Sequence, residues 1–267
     1  MTKILWAAIV FFAGTVGAFA QGSSSMTKAP PDVVTSLPPT GKLRAAINFG
    51  NGVLAQKDPA TGEPRGVSAD LSKELAKRLS VPVEFVTFEA AGKVFEALKT
   101  GAWDIAFLAV EPVRAAEIDF TAPYVIIEGA YMVAKDSPLQ TPADVDKKGI
   151  RIAVGKGSAY DLYLTRTLKH ATLMRHDTDG IGMFKRDKLE AAGGVRQPLE
   201  SYAKQDPSVR VMAGRFMAIQ QAMGMPKGRG KAHAYLLKFV EEMKASGFVA
   251  DALKRSNQPD AVVAPKA

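Results

Sequence analysis

Apolar residues recur along the chain with two different periods, and each period predicts one type of element. Residues 42–47 alternate between polar and apolar side chains, which predicts a half-buried strand. Leu71, Leu75 and Leu79 recur at a spacing of four and predict one face of a helix. Further strands are predicted at residues 83–88, 104–110, 129–134, 150–154, 209–212 and 215–221, and further helices before Gly101 and at residues 159–168 and 233–246.

Strands and helices alternate from residue 42 to residue 110, an order that predicts a mostly parallel sheet flanked by helices. The composition agrees with a folded domain, since 47% of the residues are hydrophobic and 23% are charged. Beyond the N-terminal segment, no apolar run reaches the roughly 18 residues that a membrane-spanning helix needs. The pattern of residues therefore predicts an α/β protein with a full-sized core.

The two ends of the chain differ from its middle. A positive N-terminus, an apolar stretch and a small-residue motif predict a secretory signal peptide at residues 1–20, cleaved after Ala20, with an uncleaved membrane anchor as the alternative. Residues 21–41 are rich in serine, threonine and proline, a composition typical of a flexible lead-in. A flexible tail is predicted at residues 258–267.

The formal net charge is +8, and the lysines and arginines are dispersed along the chain. Removal of residues 1–20, whose only charge is Lys3, leaves +7. No nucleic-acid motif accompanies this charge, so the pattern favours a basic surface that is compatible with anionic ligands. The absence of cysteine excludes disulfides, thiolate metal sites and lipid attachment at a cysteine. The histidines show no metal-ligand spacing, and no cofactor is predicted.

The most specific motif begins at one of the predicted strands. It consists of Asp104, an apolar run, Arg114 and the sequence Asp-Phe-Thr-Ala-Pro-Tyr that ends at Tyr124. This block resembles the family 3 extracytoplasmic solute-binding proteins, the amino-acid-type receptors of ABC importers, and a looser resemblance covers residues 42–255. In that family the arginine of the block binds the ligand carboxylate, and Arg114 occupies its position. A guanidinium can hold a carboxylate through two parallel hydrogen bonds.

The resemblance implies the two-lobed type II periplasmic binding protein fold. In this α/β fold each lobe has a mostly parallel sheet flanked by helices, and two crossing strands form the hinge. Residues 42–133 and 217–257 are expected to form lobe 1, and residues 134–216 to form lobe 2. The crossings are expected near residues 131–135 and 214–219, with the ligand between the lobes.

A strand–turn–helix unit is the candidate ligand site of the second lobe. Gly155, Lys156, Gly157 and Ser158 precede a predicted helix, and such a turn offers backbone N–H groups and the positive end of the helix to an anion. The resemblance assigns a ligand contact to a short hydroxyl residue in this turn, which is Ser158. A purely structural role of Ser158 as the helix cap is the alternative, and both roles are compatible.

Two features depart from the amino-acid receptors of the family. The interval between Asp104 and Arg114 looks shorter, and Val195, next to Arg196, stands where those receptors have an acid for the ligand ammonium. Glu111 is the acid that could replace it. The complete set of expected ligand contacts is Asn48, Phe49, Asn51, Ala109, Val110, Glu111, Arg114, Lys156, Gly157, Ser158, Ala159 and Arg196.

The resemblance implies a periplasmic, monomeric binding protein without enzymatic activity or a nucleic-acid partner. Its expected role is to capture a small carboxylate-bearing solute, an amino acid or a related organic acid, by lobe closure and to deliver it to an ABC transporter permease. The alternative is a dehydratase-like enzyme on the same fold that acts on a carboxylated small molecule, with Glu111 as its acid–base group.

Overall fold

The computed structural model describes residues 28–178 and 180–267, so the predicted signal peptide lies outside the described residues. None of the helices in these ranges combines the length and the apolarity that crossing a bilayer requires. The strands are β1 Leu43–Asn48, β2 Gln56–Lys57, β3 Pro64–Arg65, β4 Val83–Phe88, β5 Ile105–Ala109, β6 Ile118–Ala134, β7 Arg151–Gly155, β8 Thr172–His176, β9 Ala191–Val195, β10 Val209–Val211, β11 Met217–Pro226 and β12 Val262–Val263. The α-helices are α1 Pro31–Ser36, α2 Val67–Leu79, α3 Ala91–Glu96, α4 Pro112–Ala115, α5 Ala159–Thr167, α6 Ile181–Arg186, α7 Arg196–Gln205, α8 Gly230–Ala245 and α9 Phe248–Arg255.

Within the described residues, ten strands form one continuous sheet, and β2 pairs with β3 separately. The order is β4-β1-β5-β11-β6-β9-β7-β8, with β10 and β12 also paired to β6. Strands β4, β1 and β5 are parallel, and so are β9, β7 and β8. The antiparallel pair β11 and β6 lies between these two parts. We call the β4-β1-β5 part with its helices lobe 1, and the β9-β7-β8 part with β10 and its helices lobe 2.

Strands β6 and β11 connect the two lobes. They pair from Pro226 back to Met217, which lies opposite Gly129, and β6 then pairs with β9 and β10 of lobe 2. Residues 130–133 are buried in the hydrophobic clusters of lobe 2. The first crossing therefore lies at Gly129, a few residues before the expected interval 131–135, because the side chains of the following residues already belong to lobe 2.

Apolar periodicity explains the helices that cover lobe 1. Leu71, Leu75 and Leu79 of α2 are all buried in the main hydrophobic cluster, as the leucine spacing predicts. The same cluster contains Leu236 and Val240 of α8, so these helices bury their apolar faces against the sheet.

The aspartate that opens the sequence motif has a structural role. Asp104 is fully buried, and its carboxylate accepts hydrogen bonds from Nε of Arg44 at 3.1 Å and from Nη2 of Arg44 at 2.7 Å. It also accepts the backbone N–H of Arg44 at 2.9 Å. A buried carboxylate needs such partners because its desolvation is costly. Asp104 thereby fixes the start of β5 next to β1 and so positions the residues that follow β5.

Parts of both ends that are predicted to be flexible are packed in the structure. In the lead-in, α1 buries Val33, and Leu37 is also buried in the main cluster. In the tail, β12 pairs with Ile126 and Val125 of β6, and Ala264 is buried. The prediction is wrong at these positions because a few apolar residues in a polar, proline-rich segment are enough to cover the edge of an existing core.

Acid is expected to destabilise the fold through its hydrogen-bonded carboxylates. Backbone N–H groups of Ala171, Lys169 and His170 donate to the Asp146 carboxylate and hold its pKa below the ordinary value. A pKa that is lower in the folded state contributes stability above the unfolded pKa, near 4, and this contribution is lost as the pH falls further.

The melting temperature should therefore fall as the pH is lowered below about 4. Because asparagine cannot be protonated in this range, Asp146→Asn should lower the melting temperature at pH 7 by a few degrees and weaken its dependence on acid. Calorimetry at a series of pH values tests this, and an unchanged pH dependence in the variant would contradict it.

Candidate ligand-binding site

A cavity of about 450 Å³ lies between the two lobes. It is located where the C-terminal ends of β1, β4 and β5 face the ends of β7 and β9, the position at which loops of an open α/β sheet converge on a ligand. Lobe 1 and β11 contribute Asn48, Phe49, Gly50, Asn51, Gly52, Glu89, Ala90, Ala91, Phe107, Leu108, Ala109, Arg114, Ile219 and Gln221. Lobe 2 contributes Lys156, Ser158, Ala159, Tyr160, Thr178, Ile181, Val195 and Pro198.

Arg114 is the buried cation of this cavity. It lies in α4, a single turn that begins at Pro112, three residues after the last residue of β5, and its side chain is fully buried. Nη1 donates to the carbonyl oxygen of Ala109 at 3.1 Å, and Nη2 donates across the cleft to the carbonyl oxygen of Gly157 at 2.8 Å. These two bonds hold the planar guanidinium in one orientation against the cavity.

The Nε atom of Arg114 is buried and has no hydrogen-bond partner among the described residues. Burial lowers the pKa of the Arg114 guanidinium to about 10, and the nearby charge of Glu111 opposes this shift. The group therefore remains positively charged at neutral pH. An unpaired buried donor on a cation is unfavourable, so the arrangement suits an anion that accepts this hydrogen bond.

The turn before α5 supplies the opposite wall. Gly157 has a positive φ of 69°, a backbone conformation that favours glycine. Its N–H donates to Oδ2 of Asp161 at 2.8 Å, and Oγ of Ser158 accepts the N–H of Asp161 at 3.0 Å. Ser158 is therefore the N-cap of α5, as its capping interpretation predicts, and it also lines the cavity. The positive end of α5 faces the same space as Arg114.

The lobes touch each other at both sides of Arg114. A Cβ atom on Gly92 of α3 would lie 2.8 Å from the carbonyl oxygen of Lys156, and one on Gly157 would lie 2.9 Å from Cα of Gly92. On the other side, Nη1 of Arg166 lies 2.7 Å from Oε2 of Glu111, an ion pair without hydrogen-bond geometry. These contacts join α3 and the residues between β5 and α4 of lobe 1 to the turn and helix α5 of lobe 2, so the two lobes are in contact on both sides of the cavity.

The structure brings together most of the residues that the sequence nominates. Eight of them line the cavity, namely Asn48, Phe49, Asn51, Ala109, Arg114, Lys156, Ser158 and Ala159. Gly157 contributes the carbonyl oxygen that Arg114 contacts. Val195, where the sequence lacks the expected acid, also lines the cavity.

Three nominated residues lie outside this cavity. Arg196 instead donates to Oε2 of Glu128 at 2.7 Å and to the carbonyl oxygen of Gly214, so it stabilises the region between the lobes. Val110 and Glu111 line a neighbouring pocket that shares Ala109 and Ile219 with this cavity, and the Glu111 carboxylate pairs with Arg166. The side chains of Val110 and Glu111 therefore lie outside the cavity, and Glu111 does not replace the missing acid at Val195.

Several cavity residues carry no local signal in the sequence. Gln221 and Ile219 come from β11, and Thr178, Ile181 and Pro198 follow strands of lobe 2. Of these residues without a sequence prediction, Glu89 is the easiest to predict. It follows a predicted strand of the parallel sheet, where side chains converge on the ligand.

Comparisons with known proteins agree with this architecture. The sequence model of the bacterial extracellular solute-binding proteins, family 3, matches residues 55–256. The glutamine-binding protein of Geobacillus stearothermophilus is 24% identical over 213 residues, which cover 76% of this chain and 80% of that protein.

Solved structures show the same fold. The solute receptor for L-cysteine of Neisseria gonorrhoeae has a TM-score of 0.73 and 25% identity, and the match covers 85% of this chain and 94% of that one. The ancestral amino acid-binding protein AncCDT-1, described as a precursor of cyclohexadienyl dehydratase, has a TM-score of 0.69 and 23% identity, with 83% and 98% covered. At this identity the second likeness concerns the fold alone.

Proposed function

Because the chain belongs to the bacterial extracellular solute-binding proteins of family 3, we propose that it captures a small carboxylate-bearing solute in the periplasm and delivers it to the permease of an ABC importer. Its fold is the type II periplasmic binding protein fold that the sequence resemblance implies. The cavity between the lobes is the proposed solute site.

The observation that carries the proposal is the unpaired Nε of Arg114. The guanidinium is fully buried and keeps its charge, yet its two protein partners are neutral carbonyl oxygens. A carboxylate in the cavity would accept the N–H of Nε and balance the charge, and its second oxygen could accept an N–H from the same edge of the guanidinium. A carboxylate therefore supplies both the negative charge and the acceptor atoms that this guanidinium lacks.

Lobe closure follows from the contacts of the same arginine. Arg114 belongs to lobe 1 but donates to Gly157 of lobe 2, so a carboxylate bound to Arg114 is enclosed when the turn of lobe 2 approaches. A ligand that contacts both lobes binds the closed conformation more tightly and shifts the population toward it. The proposed hinge consists of the crossings at Gly129 and Met217.

The enzymatic alternative has less support in this cavity. Glu111, its candidate acid–base group, lies outside the cavity and pairs with Arg166. Among the described lining residues the only carboxylate is Glu89, which is exposed and lies 3.2 Å from Nζ of Lys57. A candidate general acid or base has to reach the reacting atoms, and neither carboxylate shows this arrangement.

The proposal predicts that protein purified without unfolding carries a carboxylic acid in a one-to-one ratio. Native mass spectrometry identifies the mass of the bound molecule, and prolonged incubation with that acid should leave its chemical identity unchanged. Conversion of the acid to a product by the wild-type protein, and not by Arg114→Ala, would overturn the binding role in favour of the enzyme.

A further inference from the structure

The cavity contains a second buried polar atom without a partner, Oδ1 of Asn51. Asn51 is 7% exposed and lies in the loop after β1, whose residues line the cavity. A buried carbonyl oxygen without a hydrogen bond is unfavourable, so a ligand that donates to it is favoured. Arg114 and Asn51 are therefore complementary to two different groups on one ligand. Arg114 suits an anionic acceptor, and Asn51 suits a hydrogen-bond donor.

An ammonium group is a donor, but the charges around this cavity oppose it. Glu89 is the only acidic side chain among the described lining residues, and its carboxylate is exposed and paired with Lys57. The other two charged lining residues, Arg114 and Lys156, are positive. A cation enclosed among these groups would lack a counter-charge, which makes its burial costly. A hydroxyl group donates equally well to Asn51 and carries no charge.

Val195, at the end of β9, bears on the preference for a hydroxyl over an ammonium group on the ligand. Its side chain is 9% exposed and lines the cavity directly before α7 begins. An apolar side chain at this position offers neither a charge nor a hydrogen bond to a ligand.

We propose that the solute is a hydroxycarboxylic acid without an ammonium group, and that Val195 and Asn51 are the residues that set this specificity. The proposal rests on the proposed function, because it concerns the second polar group of the same carboxylate ligand. The carboxylate pairs with Arg114, the hydroxyl donates to Asn51, and Val195 excludes the amino acid of the same shape.

Calorimetric titration with matched pairs of acids tests this specificity. The pairs are lactate and alanine, glycerate and serine, and malate and aspartate, which differ only in a hydroxyl or an ammonium group. In each pair that binds, the hydroxy acid is expected to bind the wild-type protein at least tenfold more tightly. Asn51→Ala should weaken binding of lactate but leave that of propionate, which lacks the hydroxyl, unchanged.

Substitutions at Val195 provide the matched controls. Val195→Asp places a carboxylate in the cavity and should shift the ratio of affinities toward the amino acid by at least tenfold. The asparagine side chain of Val195→Asn has the shape of aspartate without its charge. This variant should therefore leave the ratio of hydroxy-acid to amino-acid affinity near its wild-type value. If Val195→Asp does not fold, the comparison of lactate with propionate in Asn51→Ala still decides the proposal.

The two proposals fail in different ways. An amino acid that binds the wild-type protein more tightly than its hydroxy partner, and whose binding is lost in Arg114→Ala, would overturn the hydroxy-acid specificity and leave the carboxylate receptor intact. Failure of both members of every pair to bind at millimolar concentration would overturn both.

Discussion

Replacement of Arg114 by alanine is expected to weaken binding of the carboxylate solute by roughly 30- to 4000-fold, the equivalent of about 2–5 kcal/mol. The loss is large because the ligand charge would be enclosed without its counter-charge. The same change removes the bond from Nη2 to Gly157 and with it one contact between the lobes. Arg114→Lys keeps the charge but cannot form two parallel hydrogen bonds, so its affinity should be intermediate.

Calorimetric titration of the three proteins measures this effect, and circular dichroism confirms that each variant is folded. Arg255→Ala is the matched control, because Arg255 is exposed, pairs with Asp70 and does not line the cavity. The control should bind the solute as the wild-type protein does. A folded Arg114→Ala protein with wild-type affinity would contradict the assignment of Arg114 as the carboxylate ligand.

Substitution of Gly92 by alanine is expected to weaken solute binding at least tenfold without destabilising the empty protein. The added Cβ would lie 2.8 Å from the carbonyl oxygen of Lys156, a distance that requires the backbone of the two lobes to separate. Alanine is also favoured over glycine in a helix, by about 1 kcal/mol. The substitution therefore opposes closure and leaves lobe 1 intact.

Gly182→Ala is the matched control for this variant. Both glycines are the second residue of a six-residue helix, but a Cβ on Gly182 meets no atom within 4 Å. Small-angle scattering at ligand saturation should give a larger radius of gyration for Gly92→Ala than for the wild-type protein and for the control. Equal affinity and equal compaction in all three proteins would show that the contact between Gly92 and Gly157 does not limit closure.

The elements of the fold could be predicted from the sequence wherever one face of a segment is apolar. The strand at residues 42–47 and the leucine stripe of α2 are local patterns, and both form as predicted. The position of the first crossing is not a local property, because β6 continues without interruption from one lobe into the other. Only the packing of the residues after Gly129 shows where lobe 2 begins.

Some residues of the candidate site could also be predicted from local sequence, and others depend on contacts between distant parts of the chain. Arg114 and Ser158 each lie four residues after the end of a predicted strand, so a motif and a turn are enough to predict them as ligand contacts. The prediction of Arg196 as a ligand contact depends on its position next to Val195. Its ion-pair partner Glu128 lies 68 residues away in the sequence, on the strand that crosses between the lobes. Gln221 enters the cavity because β11 lies next to β5, a pairing that connects residues more than 100 positions apart.

A crystal structure of the protein with its retained solute tests the central claim most directly. The account predicts a carboxylate oxygen about 2.7–3.2 Å from Nε of Arg114, in a cavity closed by the contact between Gly92 and Gly157. A solute that lies in the closed cavity with its carboxylate bound elsewhere, and with Nε still unpaired, would contradict the account.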